Sequence, residues 1–309
     1  MKKQKWFWIA LIAVLASAPN ALLLKTVIDT YDPLLINALR FGLAAVVFLP
    51  YTVSNLYKLW KSSKWLLQGT AGLVAATVAY VYSIEFAPAS YVSLFALISP
   101  VVMVLLAQRL LRERITARAY AGITLAAGGA GLMCLLPFVS SSQLQVYPVA
   151  TLLCLVSVVS FPLSVIRFKQ VHKKSRVPLQ AVVGFSSVIV AAISLFGWLV
   201  TASDTSPAIS TIDWISISYS GIMVLGLWRV LLLHSYDFVS TPVLGVLTYL
   251  EGFVAIVLAV VFLQEILTWQ MWTGGALIVL GVFVVEYHRY SHKRRPSLLI
   301  PHKILQLMK

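Results

Sequence analysis

"PVLGVLTYLEGFVAIVLAVVFL", residues 242–263, is long enough to cross a bilayer as a helix and contains one charge, Glu251. About 20 apolar residues rising 1.5 Å each match a hydrocarbon core of about 30 Å. Glu251 is the tenth residue of the stretch, so it lies about 15 Å from one edge, near the midplane. An acidic side chain there costs about 2.5–3.5 kcal/mol on insertion scales. Whatever offsets that cost must sit beside it in the fold.

The same pattern recurs along the chain. Its 309 residues are 60% hydrophobic and 11% charged, with a mean hydropathy of +0.90, too little polar surface for a soluble protein of this size. Apolar runs divided by polar breaks predict spans at 6–24, 33–53, 65–85, 88–108, 119–138, 147–166, 179–201, 214–234, 242–263 and 269–288. The predicted fold is an all-α polytopic membrane protein with ten transmembrane helices.

The net charge of +14 does not form a basic face interleaved with stacking aromatics, so nucleic acid is not the expected partner. Instead it marks topology. With the N-terminus in the cytoplasm, basic clusters fall inside at residues 2–5, 58–64, 109–118, 167–176 and 289–309. These hold 21 of the 24 Lys and Arg; Lys25 alone lies outside, and Arg40 and Arg229 fall within spans. This asymmetry places both termini in the cytoplasm of a multi-pass cell-membrane protein. The first span imitates a signal peptide ending Ala16-Ser17-Ala18, but Pro19 just after the mimic site fits a protease poorly, so a retained helix is expected. Cys134 and Cys154 fall inside spans without metal-ligand spacing and are expected to pack. The tail, 289–309, is basic then amphipathic, an anchor suited to anionic lipid.

The two halves repeat with an offset of 152. Glu85-Phe86 matches Asp237-Phe238, Glu113 matches Glu265, and Gly122 and Gly129 match Gly274 and Gly281. An odd number of spans per half inverts the second copy, giving two inverted-topology five-helix repeats at 1–138 and 139–288. Small-residue stripes, Ala71-Ala75-Ala79 and Gly122-Ala126-Ala130, let backbones approach.

Taken together, several motifs carry a family resemblance. They are Asn20 before an apolar run ending in Lys25, "LRFGLAAVVFLP" in the second span, Ser99-Pro100 in the fourth, and a Glu at each 4–5 and 9–10 turn followed by a glycine-bearing helix. The chain resembles EamA-type members of the drug/metabolite transporter superfamily over nearly its whole length. One departure is Glu251-Gly252, where the family often has Glu-Pro. The resemblance implies a secondary transporter, working outward on a small polar metabolite such as an amino acid by alternating access.

Candidate site residues follow from depth and face. Arg40 enters about 10 Å from the outer edge, leaving a vertical gap of about 5 Å to Glu251; the alternative for it is snorkelling outward. Glu251 either handles substrate or a coupled proton, or only ties helices together. Asn20 follows the helix-breaking Pro19 and can satisfy freed backbone or touch a ligand. Asn37 lies one turn before Arg40, and Thr248 one turn before Glu251. Tyr80, Tyr82, Tyr91, Trp228 and Tyr249 supply aromatic surface, for packing or for stacking on cargo. Arg229 is expected to snorkel to the cytoplasmic edge and His234 to be solvated there.

There is no Walker A loop, HExxH helix or GxSxG nucleophile, and Tyr236-Asp237 has no GxGD partner. Neither an enzyme nor a cofactor or metal is expected. Two alternatives from other classes are a lipid flippase or scramblase, for which "SISYSG" (216–221) is the polar candidate, and a non-transporting scaffold. The topology reading makes a direct prediction: single cysteines placed at Ser62 and Ser291 are labelled by an impermeant reagent from the cytoplasmic face only. Labelling of the two from opposite faces contradicts it.

Overall fold

A computed structural model describes residues 2–28, 30–86, 98–111, 115–140, 147–201, 209–263 and 269–293. The first predicted span is broken. Helix α1 (Lys2–Ser17) ends before Ala18, and α2 (Pro19–Ile28) starts on the proline, whose ring and missing N–H interrupt the hydrogen-bond ladder. Helix α3 (Pro33–Ser54) starts where Pro33 occupies the first turn and the Asp32 side chain accepts from the Leu34 and Leu35 amides at 2.7 and 3.2 Å.

The short α4 (Leu56–Lys61) leads into α5 (Ser63–Phe86), then α6 (Ser99–Leu110), α7 (Ala117–Ser140), α8 (Pro148–Ser175) and α9 (Leu179–Thr201). The eighth predicted span is composite: α10 (Thr211–Ser218), a π-helix (Tyr219–Trp228) and α11 (Arg229–Ser235). Helices α12 (Thr241–Leu263) and α13 (Trp269–Lys293) complete the order. Among the described residues, Pro33–Ser54, Lys64–Ser83, Pro148–Ser175, Leu179–Thr201 and Thr211–Ser235 are each long and apolar enough to cross a membrane, and Gln4–Ser17, Ser99–Leu110 and Trp272–Gly281 are shorter apolar helices. Ser99-Pro100 forms the first turn of α6, while Glu113, Glu265, Tyr91 and the tail beyond Lys293 lie outside the described residues.

Three helix pairs run along one another: α5 with α8, α3 with α9, and α7 with α13. The α7–α13 contact is built from the repeated glycines. A Cβ on Gly129 would lie 2.5 Å from the Gly274 carbonyl oxygen, and one on Gly281 would lie 2.7 Å from the Gly122 oxygen. The late glycine of each helix thus meets the early glycine of the other, so the two helices are antiparallel and the contact maps onto itself when the repeats are exchanged. Ala126 is fully buried here, as the second predicted stripe requires. The first stripe is buried only in part: Ala79 is buried, Ala75 half-buried and Ala71 exposed, and α5 approaches α8 through Gly69, against Phe168, and Gly72, against the Ser160 carbonyl.

Helix α12 sits amid this framework, packed on α1, α6, α7 and α13. Leu244, Val246 and Leu247 are fully buried and share a cluster with Met103, Val104 and Ile278. The basic residues expected in a solvated cytoplasmic group are partly folded in. Lys169 is buried over the Tyr236 ring at 5.4 Å, and Arg167 and Lys174 each lie 4.6 Å from the Trp65 ring.

The glycine contact yields a matched pair of variants. Gly129→Ala should destabilise the protein by about 1–3 kcal/mol, because backbone faces the new methyl. Gly128→Ala, with nothing within 4 Å of its Cβ, should be neutral or gain up to about 1 kcal/mol from helix propensity. Thermal unfolding of both variants in detergent checks the contrast.

Candidate functional site

The polar interior starts from the break at Ala18. In an unbroken helix the Ala16 carbonyl would accept from the Asn20 amide; here the Tyr219 hydroxyl donates to it. That contact joins the first helix to the start of the π-helix and frees the Asn20 side chain for other work. The next π-helix residue, Ser220, is fully buried. Its hydroxyl donates to Asn20 Oδ1 at 2.6 Å and accepts from Arg40 Nε at 2.5 Å. Gly221 makes this possible, since a Cβ there would stand 2.6 Å from the Arg40 carbonyl oxygen. The result is a chain, Arg40–Ser220–Asn20, linking three helices in the interior. Arg40 is only 7% exposed, so it does not snorkel.

Glu251 lies on the other side of the broken helix. Its carboxyl pairs with the Ser17 hydroxyl, which also lies 2.8 Å from the Val14 carbonyl. Tyr80 connects the two charges, being within electrostatic reach of both Arg40 and Glu251. Tyr80 keeps 39% of its surface exposed. Glu251 is half-buried in the same region.

The other predicted residues are distributed differently. Asn37 Nδ2 donates to Ser194 Oγ at 2.9 Å, both fully buried, which ties α3 to α9. Thr248 bonds back to the Gly245 carbonyl at 2.6 Å and stays half-buried one turn from Glu251. Tyr82 has Asp32 and Glu85 as its electrostatic neighbours, at the opposite end of α5 from the basic loop. Residues two apart on a helix point in widely different directions, so Tyr80 and Tyr82 cannot face one opening. Tyr249 is buried in the apolar cluster around α12. Trp228 is half-buried, and its indole N–H has no hydrogen-bond partner among the described residues.

Two edge residues depart from expectation. Arg229 does not snorkel: both terminal nitrogens are buried without a hydrogen-bond partner among the described residues, and its guanidinium lies 5.6 Å from the Phe168 ring. The i→i+5 turns of the preceding π-helix shift the phase of every later residue relative to an α-helical wheel, which turns Arg229 inward. His234 is not simply solvated. It lies 5.7 Å from the Trp6 ring and 5.5 Å from the His172 ring. Beside it, His172 Nε2 is 3.4 Å from Asp237 Oδ2. Burial works against ionisation of Asp237, but the adjacent His172 ring, with Lys173 and Lys169, outweighs it and holds the carboxyl below its usual range.

Sequence reasoning missed Ser17, Tyr219 and Ser220. The only signal was the Ser-Gly step inside "SISYSG", read there as polar groove. In the fold Ser216 and Ser220 are buried, so the run does not present a row of hydroxyls to lipid. A surface depression of about 480 Å³ does lie along the other face of this segment, at Trp214, Ile215, Ile222 and Met223, but its lining is almost wholly apolar.

Apolar helices of membrane length, a duplicated glycine contact and an interior charged network define a multi-pass membrane protein built from two related halves. The sequence profile of the EamA-like transporter family matches residues 4–135 and again 148–287. The chain belongs to that family. Solved structures are similar as well; one of them, a crystal structure, has a TM-score of 0.77 at 20% identity over 91% of this chain and 98% of that chain, which shows a shared fold. No curated protein matches in sequence.

The network makes one stability prediction. Ser220→Ala removes a hydrogen bond to a charged group and should cost about 1.5–3 kcal/mol. The measurement is denaturant unfolding of the purified protein, in which a change below a few tenths would mean that Arg40 is held by something else.

Proposed function

We propose that this protein is a secondary transporter that exports a small polar metabolite, such as an amino acid, by alternating access around a site between Arg40 and Glu251. The observation that carries the reading is Tyr80, partly exposed and in electrostatic reach of one buried cation and one acid. A zwitterion fits that arrangement. Its carboxylate would meet Arg40, whose fork suits a planar anion, and its ammonium would meet Glu251. A bare lipid tail has nothing to offer either group, which favours soluble cargo over the flippase reading.

Ten spans with cytoplasmic termini, arranged as inverted repeats at 1–138 and 139–288, accompany this reading. The antiparallel, self-matching glycine contact between α7 and α13 supports the inversion. So does the break at Ala18, since discontinuous helices beside a midplane site are a recurrent transporter device. The outer end has its own tie between the halves: the Tyr31 hydroxyl donates to Asp213 at 2.9 Å, and Ser210 donates to the same carboxylate at 2.6 Å.

Glu251 is also suited to carry a coupled proton. Ser17 has a single hydroxyl hydrogen, which serves Val14 or Glu251 but not both. When it points to Glu251 it stabilises the carboxylate; when it points to Val14 its oxygen accepts from the protonated acid. Both states are therefore supported without moving the backbone. Depth, burial and the Ser17 contact all attach this role to Glu251.

Two measurements test the proposal. A thermal-shift screen of the purified protein against a metabolite panel should give amino-acid-like hits. Arg40→Lys or Glu251→Gln should weaken them at least about tenfold, the loss of one charge-assisted hydrogen bond of roughly 1.5–3 kcal/mol. In proteoliposomes, Glu251→Gln should abolish flux driven by a pH gradient. Hits that survive both substitutions place the site elsewhere, and equilibration of labelled lipid without metabolite release favours the flippase.

A further inference from the structure

His172, His234 and Asp237 come together at the cytoplasmic edge from the end of α8, the end of α11 and the connection to α12. Nothing in the transport reading uses them. One nitrogen of each imidazole and one oxygen of the carboxylate lie within 4.8 Å of one another, and all three residues are half-buried. The His172–Asp237 separation is 3.4 Å. Two ligands at about 2.0–2.1 Å from one tetrahedral zinc stand about 3.4 Å apart, so this pair already has the spacing that a shared metal requires.

The surrounding contacts fit the same chemistry. His172 Nδ1 is 2.7 Å from the Val177 carbonyl, an acceptor that fixes a hydrogen on Nδ1 and presents Nε2 to Asp237, where a metal ion would displace the Nε2 proton. A ring N–H held by a backbone carbonyl while the other nitrogen takes the ion is the usual outer support of a metal-bound histidine. Trp6 packs against His234 and stacks on Phe238 at 5.1 Å, which restricts the His234 ring. Two imidazoles and one carboxylate select the zinc, cobalt and nickel class; calcium and magnesium demand oxygen ligands.

We propose that His172, His234 and Asp237 form a site for a divalent transition-metal ion of the zinc class, with water completing the coordination. Lys169 and Lys173 lie close enough to Asp237 to act on its charge, which keeps affinity below that of an isolated triad. A bound ion would join α8 to the α11–α12 connection at the cytoplasmic end of the bundle. The alternative is that the cluster is only a His172–Asp237 ion pair flanked by an aromatic stack.

The test uses the full-length chain in lipid nanodiscs, stripped with chelator and titrated with Co²⁺ alone, followed by visible absorption and equilibrium dialysis. One Co²⁺ per chain, displaced by Zn²⁺, is expected above the background that His288, His292 and His302 provide. The double variant H172A/H234A sets that background. Asp237→Asn and His234→Gln should each lower affinity at least about tenfold, as loss of even an outer partner does. Should H172A/H234A fail to fold, Asp237→Asn, isosteric and leaving the His172–Val177 contact in place, decides the matter with His234→Gln. Wild-type binding equal to that of the double variant, or binding unchanged in Asp237→Asn and His234→Gln, overturns the proposal in favour of the ion pair.

Discussion

Arg40 carries a guanidinium into the interior of the bundle, where its Nε needs a hydrogen-bond partner from the protein, and the irregularities of the surrounding helices follow from how it finds one. Hydrocarbon supplies no partners, and a bare charge there is far costlier than a bare hydroxyl. Ser220 meets the need only because Gly221 lets the neighbouring backbone come within 2.6 Å of where a methyl would stand. Asn20 in turn orients Ser220, and is available because Pro19 breaks the first helix. Tyr219 then caps the carbonyl that the break releases. Each local irregularity is explained by the next, and together they hold one positive group steady in the interior.

The second organising feature is duplication. Helices α7 and α13 meet through equivalent glycines in a contact that maps onto itself when the halves are exchanged. Helix α12, with Glu251, packs against both of these helices and against α1. The acid therefore comes from the second half while Ser17, Arg40 and Tyr80 come from the first. A relative motion of the halves, which the proposed alternating access requires, would change the separation of these groups. The Tyr31–Asp213 tie and the Trp6–His234 contact also each join a residue of one half to a residue of the other.

Much of this was legible in the sequence. Hydropathy located most of the described helices, because membrane length is a hard physical limit. Glu251 and Arg40 stood out because charge in an apolar run is rare, and the 152-residue offset exposed the glycines. The remainder failed for identifiable reasons. Ser17 and Ser220 are small, common residues whose importance lies wholly in what packs against them. The π-helix has no local signature, and Arg229 was read from its depth alone, whereas its burial over Phe168 depends on a neighbour that only the packed bundle supplies. Asn37 shares a face with Arg40 but is taken up by Ser194 on α9, a partner that only the packed bundle supplies. The Ala71-Ala75-Ala79 stripe is buried only at its Ala79 end; Gly69 and Gly72 make the close approach to α8.

The most direct measurement is the aqueous accessibility of the position one turn from Glu251. With Cys134 and Cys154 replaced by alanine, Thr248→Cys should react with a charged, water-soluble thiol reagent in proteoliposomes, and a bound metabolite should slow that reaction. Reaction only with lipid-soluble maleimides, unaffected by any metabolite, would place this face of α12 against lipid and contradict an interior site between the two halves.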